Sequence, residues 1–550
     1  MTQPDDSRDD VLLVPDLTVD VRYEEQGGLT ALIADRLGIS ADAIADLTLL
    51  RRSLDARRRR FHYRVRAELV IPDAGARKRA LRSKHARPPE VEKRVDDHAI
   101  LDGLTPGTRS LDHRPVIIGT GPSGLFAAWL LAEYGFAPIV LERGRRVEKR
   151  VKDVRDFEQG GDFREDSNIL FGEGGAGTFS DGKLTCRTRS PIKPLILELM
   201  IACSAPAEIA WQAKAHVGTD RLRAVLVHLR RRLVAKGVEF RFESCMEDLI
   251  LDSEGRIAGV RLAGGEDLKT ESVFLGIGHS ARDTYRRLLE RGIAMEFKPF
   301  QLGLRVEHRQ EQVDRFRYGG DAAGLHLPTA EYSLKAGRLC GDRQLYSFCM
   351  CPGGHIVPSV NEAGTLCTNG MSRHARASGW ANSGLVYTVR EQDLERVHPL
   401  AGVELQERIE RRAYAMGAPY EVPAQTIDDF LAARLSDPAR LESSYPLGHV
   451  AADLRELLPA GGPELMRRGL QRFEGIWRGF TGSGGLLVGP ESRGSSPVRI
   501  PRDDDSREST STPGLYPMGE GAGYAGGIMS AALDGIRSAR KLIEARAPAQ

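Results

Sequence analysis

Three glycines in G-x-G-x-x-G spacing, Gly119, Gly121 and Gly124, stand directly after the apolar run V-I-I that begins at Val116 and directly before a helical run over residues 125–134. Few local patterns constrain a chain so tightly, because each glycine answers a separate steric demand. Gly119 permits the tight turn out of a strand, Gly121 lets backbone approach a pyrophosphate, and Gly124 lets the helix pack closely on the strand. Around Pro122 and Ser123, the opening amides of the helix and the positive end of its dipole then face the phosphates. Alone, the spacing recurs in ordinary turns. Here a second apolar strand, residues 136–142, follows and ends in Glu142-Arg143. An acid about twenty residues on is expected to accept hydrogen bonds from the ribose hydroxyls. It also disfavours a 2′-phosphate, so FAD or NAD fits better than NADP.

The far C-terminus separates FAD from NAD. The run Gly514-Leu-Tyr-Pro-Met-Gly519-Glu520 is followed by Gly526, Gly527 and Ile528, which open an amphipathic helix over residues 528–543. In two-dinucleotide-binding-type flavoproteins a late strand ends in Gly followed by an acid that holds the ribityl chain. The next helix points its N-terminus at the flavin pyrimidine and stabilises negative charge on the reduced ring. Gly519-Glu520 resembles that pair, with Glu where Asp is commoner. Gly278-His279, after a strand over residues 273–275, fits a return of the chain to the same domain. No second strand–GxGxxG–helix unit for NAD(P)H is present, so a nicotinamide serves at most as a transient electron donor.

At 550 residues the chain is long for one core, and several domains are expected. Residues 1–110 read as a small N-terminal α/β (ferredoxin-like) module, with strand pieces at 11–13 and 17–21, a helix at 29–37, and strands at 47–51 and 61–71. Residues 111–300 hold the first part of an FAD-binding domain, residues 301–480 an inserted mixed β/α substrate domain, and residues 481–550 the C-terminal part of the FAD domain. The fold class is α/β (α+β overall), with a Rossmann-type, glutathione-reductase-like domain that is discontinuous in sequence. Residues 104–114 read as a polar linker.

The formal charge of +2 makes the whole chain no polycation. Residues 51–94 carry an excess of about eleven positive charges, a grip for RNA or another acidic partner; a solvated strand-and-helix face is the preferred reading. Seven cysteines, an odd number, suggest a reducing compartment. An acidic N-terminus without signal-peptide character and the lack of a long apolar run lead to the expectation of a cytoplasmic protein without membrane association.

Several runs together resemble the bacterial family of uncharacterised FAD-dependent dehydrogenases: S-L-D-A-R from Ser53, the 119–124 turn, N-I-L-F-G-E-G-G-A-G-T-F-S-D-G-K-L from Asn168, G-H-S-A-R-D from Gly278, S-F-C-M-C-P-G-G from Ser347, and residues 514–535. The resemblance covers most of the chain and implies non-covalent FAD in a glutathione-reductase-like domain, a small N-terminal domain and an insert. It implies no substrate. Gly494 is a departure, where the family pattern has Thr.

The chemistry-bearing candidates follow from these runs. The loop over residues 171–183 packs Gly172, Gly174, Gly175, Gly177 and Gly182, and glycines let backbone approach a flat ring. Lys183 at its end would reach the flavin N1–O2 edge or the pyrophosphate. Cys349 and Cys351, at i and i+2 of a strand, project to one side and set a thiolate near the flavin; a buried inert pair is the commoner outcome. His279 would contact the isoalloxazine or donate a proton, or merely cap a helix. Glu491, Arg493 and Arg499 are candidates for an acidic substrate. No metal pattern is present. The reading is an FAD-dependent oxidoreductase that moves a hydride between a small-molecule substrate and FAD. Its alternatives are a flavin-containing RNA-associated protein and a non-enzymatic FAD-bound scaffold or sensor.

Overall fold

A computed structural model of the chain describes residues 10–57, 60–89, 103–320, 324–482 and 484–549. The acidic N-terminus, Arg58, Arg59 and the 90–94 part of the basic segment lie outside the described residues.

At the centre is a five-stranded parallel sheet in the order Leu515–Pro517, Val273–Leu275, Val116–Ile118, Ile139–Leu141, Glu239–Arg241. Three of its strands, Leu515–Pro517, Val273–Leu275 and Val116–Ile118, are short apolar runs such as V-I-I, buried throughout, as a parallel sheet covered on both faces requires; the edge strand Glu239–Arg241 is half-buried. The order reverses between Val116–Ile118 and Val273–Leu275, and an open α/β sheet places its ligand at that switch point, outside the carboxyl ends of the strands. Helix Pro122–Glu133 and the last helix, Ile528–Ala545, pack on one face. They approach so closely that a Cβ on Gly535 would lie 2.0 Å from the Ser123 carbonyl oxygen. A three-stranded antiparallel sheet, Met246–Leu251, Ile257–Leu262 and Asp267–Lys269, carries the chain from Glu239–Arg241 across to Val273–Leu275.

The stretch whose periodicity was weakest in sequence forms a seven-stranded sheet in the order Lys335–Cys340, Arg343–Cys351, Trp380–Val389, Phe300–Arg309, Leu486–Glu491, Val422–Thr426, His449–Ala451. Strand Leu486–Glu491 pairs with both Phe300–Arg309 and Val422–Thr426, so this sheet runs past residue 480, where the sequence placed the end of the insert. Its central strands Phe300–Arg309 and Trp380–Val389 are buried on both faces, with helices such as Ala401–Tyr414 and Gly462–Ile476 packed on the sheet, which hides the period-two signal.

In the N-terminal part, the expected strand pieces at 11–13 and 17–21 are one strand, Val11–Asp20, whose register slips between Val14 and Leu17. Pro15, which has no N–H to give the ladder, sits at that slip. Strand His62–Val70 lies between Val11–Asp20 and Asp46–Asp55, and Arg87 makes an antiparallel bridge to Leu13. That is the strand order of a ferredoxin-like unit with its last strand reduced to a bridge. The Asp46–Asp55 strand is stitched to the rest of the chain, Arg52 N–H donating to the Trp211 carbonyl at 2.8 Å and Ala213 N–H to the Arg52 carbonyl at 3.0 Å.

Residues 104–114 are a correction to the linker reading. Leu104 and Leu111 are buried, and the amides of Gly107 and Leu111 donate to the carbonyls of Ile543 and Ala547. The polar composition reflects backbone pairing with the end of the last helix. Among the described residues no helix is long and apolar enough to cross a membrane.

Candidate functional site

A cavity of about 410 Å³ opens at the switch point. One wall is the turn through Gly119, Gly121, Pro122 and Ser123, and beside it stand Glu142 and Arg143. The chain ends of two strands meet here: a Cβ on Gly119 would lie 2.4 Å from the Gly276 carbonyl oxygen. Gly124 does not reach the cavity. It faces the opposite way, its missing side chain making room for the Gly119 carbonyl, which a Cβ would meet at 2.0 Å. Gly121 has φ −65° and a Cβ there would meet no protein atom within 4 Å, so the open space at Gly121 belongs to the cavity.

Two helices present their N-termini to this one space. Pro122–Glu133 begins at Gly121, and Ile528–Ala545 begins at Gly527, with Gly526, Gly527 and Ile528 in the wall. Neither first turn has a side-chain cap, which leaves amides free for an anion or a ring carbonyl. The 171–183 loop closes the space from above: Gly175 and Gly177 line it, and a Cβ on Gly175 would press the Gly121 Cα at 3.3 Å. Gly174 is turned instead toward Leu226 and Gly519 toward Ser123, both outside the wall.

Glu142 is in the wall, but its carboxylate is already subscribed. One oxygen accepts from Thr120 N–H at 3.0 Å and the Thr120 hydroxyl at 2.5 Å, the other from the amides of Gly144 at 2.9 Å and Gly172 at 3.1 Å. The acid expected to accept ribose hydroxyls thus ties the dinucleotide turn to the 171–183 loop. Arg143 donates to Asp283 at 2.8 Å and lies over the Phe171 ring.

Arg150, which nothing in the sequence singled out, builds the loop. Fully buried, it donates to the carbonyls of Asn168, Ile169, Gly172 and Glu173 at 2.7–3.1 Å. A guanidinium with its donors spread in a plane suits a curl of carbonyls that no strand or helix satisfies.

The far end of the cavity is made by the insert. Cys349, Asn369, Glu491 and Arg493 line it, with Lys183 and His279. Lys183 donates to the Met350 carbonyl and lies 4.0 Å from Asp181, so it is anchored to the cysteine-bearing strand. Cys351 is buried behind Cys349 and does not reach the wall. The three groups proposed to meet an acidic substrate are engaged elsewhere. Arg305 takes Glu491 in a bidentate pair at 2.7 and 2.9 Å, Glu410 takes Arg493 at 2.5 and 2.8 Å, and Arg499 donates to the Gly523 carbonyl at 3.1 Å. Gly494 lines the cavity with Gln301 Cβ 2.8 Å from where its own Cβ would be, so the family's Thr would not fit here unless that strand moved.

Charge states divide the titratable groups. Burial, with Arg493 and Arg282 nearby, pushes His279 down to about 4, which keeps the imidazole neutral near pH 7 and removes it as an imidazolium proton donor. Its Nδ1 lies 2.9 Å from the Ser280 hydroxyl. Burial pushes Glu520 up to about 7, against the pull of Lys298. Because that folded value lies above the ordinary one, the folded state holds a proton that the unfolded chain releases. Glu520 therefore costs stability as pH rises from about 4.5 to about 7, by at most about 3 kcal/mol. In the ligand-free protein, Glu520→Gln is expected to gain in melting temperature over the parent as pH goes from about 5 to about 8; a gap that stays constant with pH would refute this.

The basic N-terminal segment is partly spent on structure. Arg52 lies over the rings of Tyr63 and Trp211 and donates to Tyr23, and Arg57 and Arg64 pair with Asp55 and Asp16.

Comparison with known proteins agrees with this geometry. A family model described as FAD-dependent protein, C-terminal domain-like, matches residues 299–494, one described as NAD(P)-binding Rossmann-like domain matches residues 117–173, and a domain of unknown function matches residues 15–70. An uncharacterized protein of Clostridium beijerinckii is 38% identical over 515 residues, which are 93% of this chain and 95% of that protein. Among solved structures, NikD, an amino acid oxidase essential for nikkomycin biosynthesis, is 13% identical, covers 80% of this chain and 98% of its own, and has a TM-score of 0.35. L-Proline dehydrogenase from P. horikoshii is 11% identical over 81% of this chain and 96% of its own, with a TM-score of 0.34. Both structural likenesses are slight, and no reading of substrate rests on them.

Proposed function

This chain belongs to the FAD-dependent oxidoreductase-like family, and we propose that it moves a hydride between a small-molecule substrate and FAD held non-covalently in the switch-point cavity. One observation carries the reading. Two uncapped helix N-termini converge on a single elongated space that continues from the parallel sheet to the insert. The residues fit the dinucleotide: Gly119, Gly121, Pro122 and Ser123 would hold the pyrophosphate, with Arg143 beside them, Gly175, Gly177 and Gly278 would leave room for the ring, and the amides of Gly527 and Ile528 at the helix start would serve its pyrimidine, Gly526 lining the wall with its own amide donated to Ser530. Bound there, FAD supplies two-electron chemistry, its ring accepting or giving a hydride.

The protein's own part is positional and electrostatic. The helix at Ile528 favours negative charge at its N-terminus. Glu520, near half-protonation at neutral pH, holds or releases a proton at its carboxyl. His279, neutral, offers a hydrogen bond without adding charge. Glu491 and Arg493 line the cavity but are held from behind by Arg305 and by Glu410, so each is positioned by a partner rather than free to move toward a substrate. The substrate enters between the parallel sheet and the insert, beside Asn369, whose Oδ1 accepts from Arg305 and Gly370 and whose Nδ2 is left to donate.

The test is anaerobic mixing of the purified protein with NADH, NADPH and then a metabolite panel, followed by flavin absorbance. Bleaching by a nicotinamide identifies a reductase with a transient donor; bleaching by a metabolite alone identifies a dehydrogenase. A flavin that no donor reduces, while dithionite does, contradicts the reading.

A further inference from the structure

In a regular strand the Cα atoms of residues i and i+2 lie about 6.5 Å apart with parallel side chains, at the outer limit of disulfide geometry. Strand Arg343–Cys351 is not regular at its end. Its register against Trp380–Val389 slips between Phe348 and Cys351, and Cys349 has φ +47°, a left-handed conformation that is strained for a non-glycine residue. The kink turns Cys351 back toward Cys349 and sets Cys351 Sγ 3.4 Å from the Cys349 carbonyl oxygen. A cysteine kept only for packing has no use for this strain, which glycine would relieve.

The surroundings divide the two thiols. Cys349 is in the cavity wall beside Lys183, and Cys351 is wholly buried behind it. The hydrogen bond from Cys351 and the charge of Lys183 pull the Cys349 thiol down, and the same contact with burial pushes the Cys351 thiol up. Cys349, the sulfur that faces the cavity, is thus the more acidic of the two.

We propose that Cys349 and Cys351 are a dithiol–disulfide pair that exchanges two electrons with FAD across the cavity wall. The proposal rests on the FAD reading above and adds a second electron store to it. In the oxidising direction the two S–H bonds break and one S–S bond forms, and the electron pair and two protons pass to FAD, which is the oxidant. The reverse reaction returns them.

The experiment is an anaerobic dithionite titration of the flavin-loaded protein, read per bound FAD, beside mass spectrometry of protein alkylated under denaturing conditions. The parent is expected to take up two electron pairs per FAD, and Cys349→Ser and Cys351→Ser one pair. After ferricyanide oxidation the parent is expected to show five alkylated cysteines of its seven, with residues 349 and 351 in one disulfide-linked peptide, and seven after reduction. This thiol count needs no variant to fold. Bound flavin with seven alkylated thiols in both states and one electron pair per FAD overturns the proposal and leaves the FAD reading standing. A protein that takes up no FAD overturns the FAD reading, and the pair's role with it.

Discussion

Gly121→Ala is expected to fold as the parent does and to lose FAD. The position has φ −65° and ψ 174°, which alanine adopts freely, and an added Cβ meets no protein atom within 4 Å. The methyl would instead occupy the cavity at the place where backbone must approach the pyrophosphate. Overpacking of this kind costs about 1–3 kcal/mol, here taken from the bound state alone, which is about a 5- to 150-fold weaker FAD affinity. Gly124→Ala makes the contrast. Its Cβ would lie 2.0 Å from the Gly119 carbonyl oxygen and 3.3 Å from Ile117 Cγ2, so the helix must withdraw from the strand and both stability and FAD affinity fall. Urea midpoints of the flavin-free proteins, with FAD titrations, separate the two. If Gly121→Ala bound FAD like the parent, the pyrophosphate would not lie on this turn.

The largest loss of stability is expected from Glu410→Gln. Glu410, on helix Ala401–Tyr414, is fully buried and accepts from Arg282 at 2.9 Å, from Arg493 at 2.5 and 2.8 Å, and from the Ser492 hydroxyl at 2.5 Å. It joins the first turn after the parallel sheet to the segment after strand Leu486–Glu491, so one carboxylate holds the two large sheets together beside the cavity. Removing its charge leaves buried guanidiniums uncompensated, a change that costs about 3–5 kcal/mol. Glu362→Gln touches only Arg282 from a more exposed site and is expected to cost less than about 1 kcal/mol. Burial alone would raise the Glu410 carboxyl, but Arg282 and Arg493 outweigh it and hold it well below the usual range. Because the folded value is depressed, this contribution is complete above about pH 4.5 and fades as pH falls toward the folded value. The parent should therefore lose stability in acid more steeply than Glu410→Gln. Equal denaturant midpoints for Glu410→Gln and the parent at neutral pH would refute the account of this cluster.

The sequence made legible those parts of the fold where backbone sterics act locally. The Gly119–x–Gly121–x–x–Gly124 turn, the strand before it and the helix after it are readable because each glycine has a short-range reason. The Gly519-Glu520 turn and the last helix are readable for the same reason. What stayed hidden depends on partners far along the chain. Arg150 reads as one more base on an amphipathic helix until the loop it holds is seen, and Glu410 as one more helical acid until Arg282 and Arg493 arrive from 128 and 83 residues away. Glu142 was found in sequence, but its four donors were not, because Gly172 lies on a separate loop. Residues 104–114 look like a linker because backbone pairing with the last helix leaves no mark on side-chain composition. The kink at Cys349 left no signal either, since nothing local forbids a regular strand there.

The central claim, that the switch-point cavity holds FAD, is tested most directly by the visible spectrum and flavin content of the purified protein after incubation with excess FAD and gel filtration. The account predicts an oxidised-flavin spectrum with one FAD per chain, released intact by denaturation. It also predicts that Gly121→Ala, equally folded, retains far less. A parent protein that stays colourless, or that binds flavin as tightly with Gly121 replaced, would contradict it.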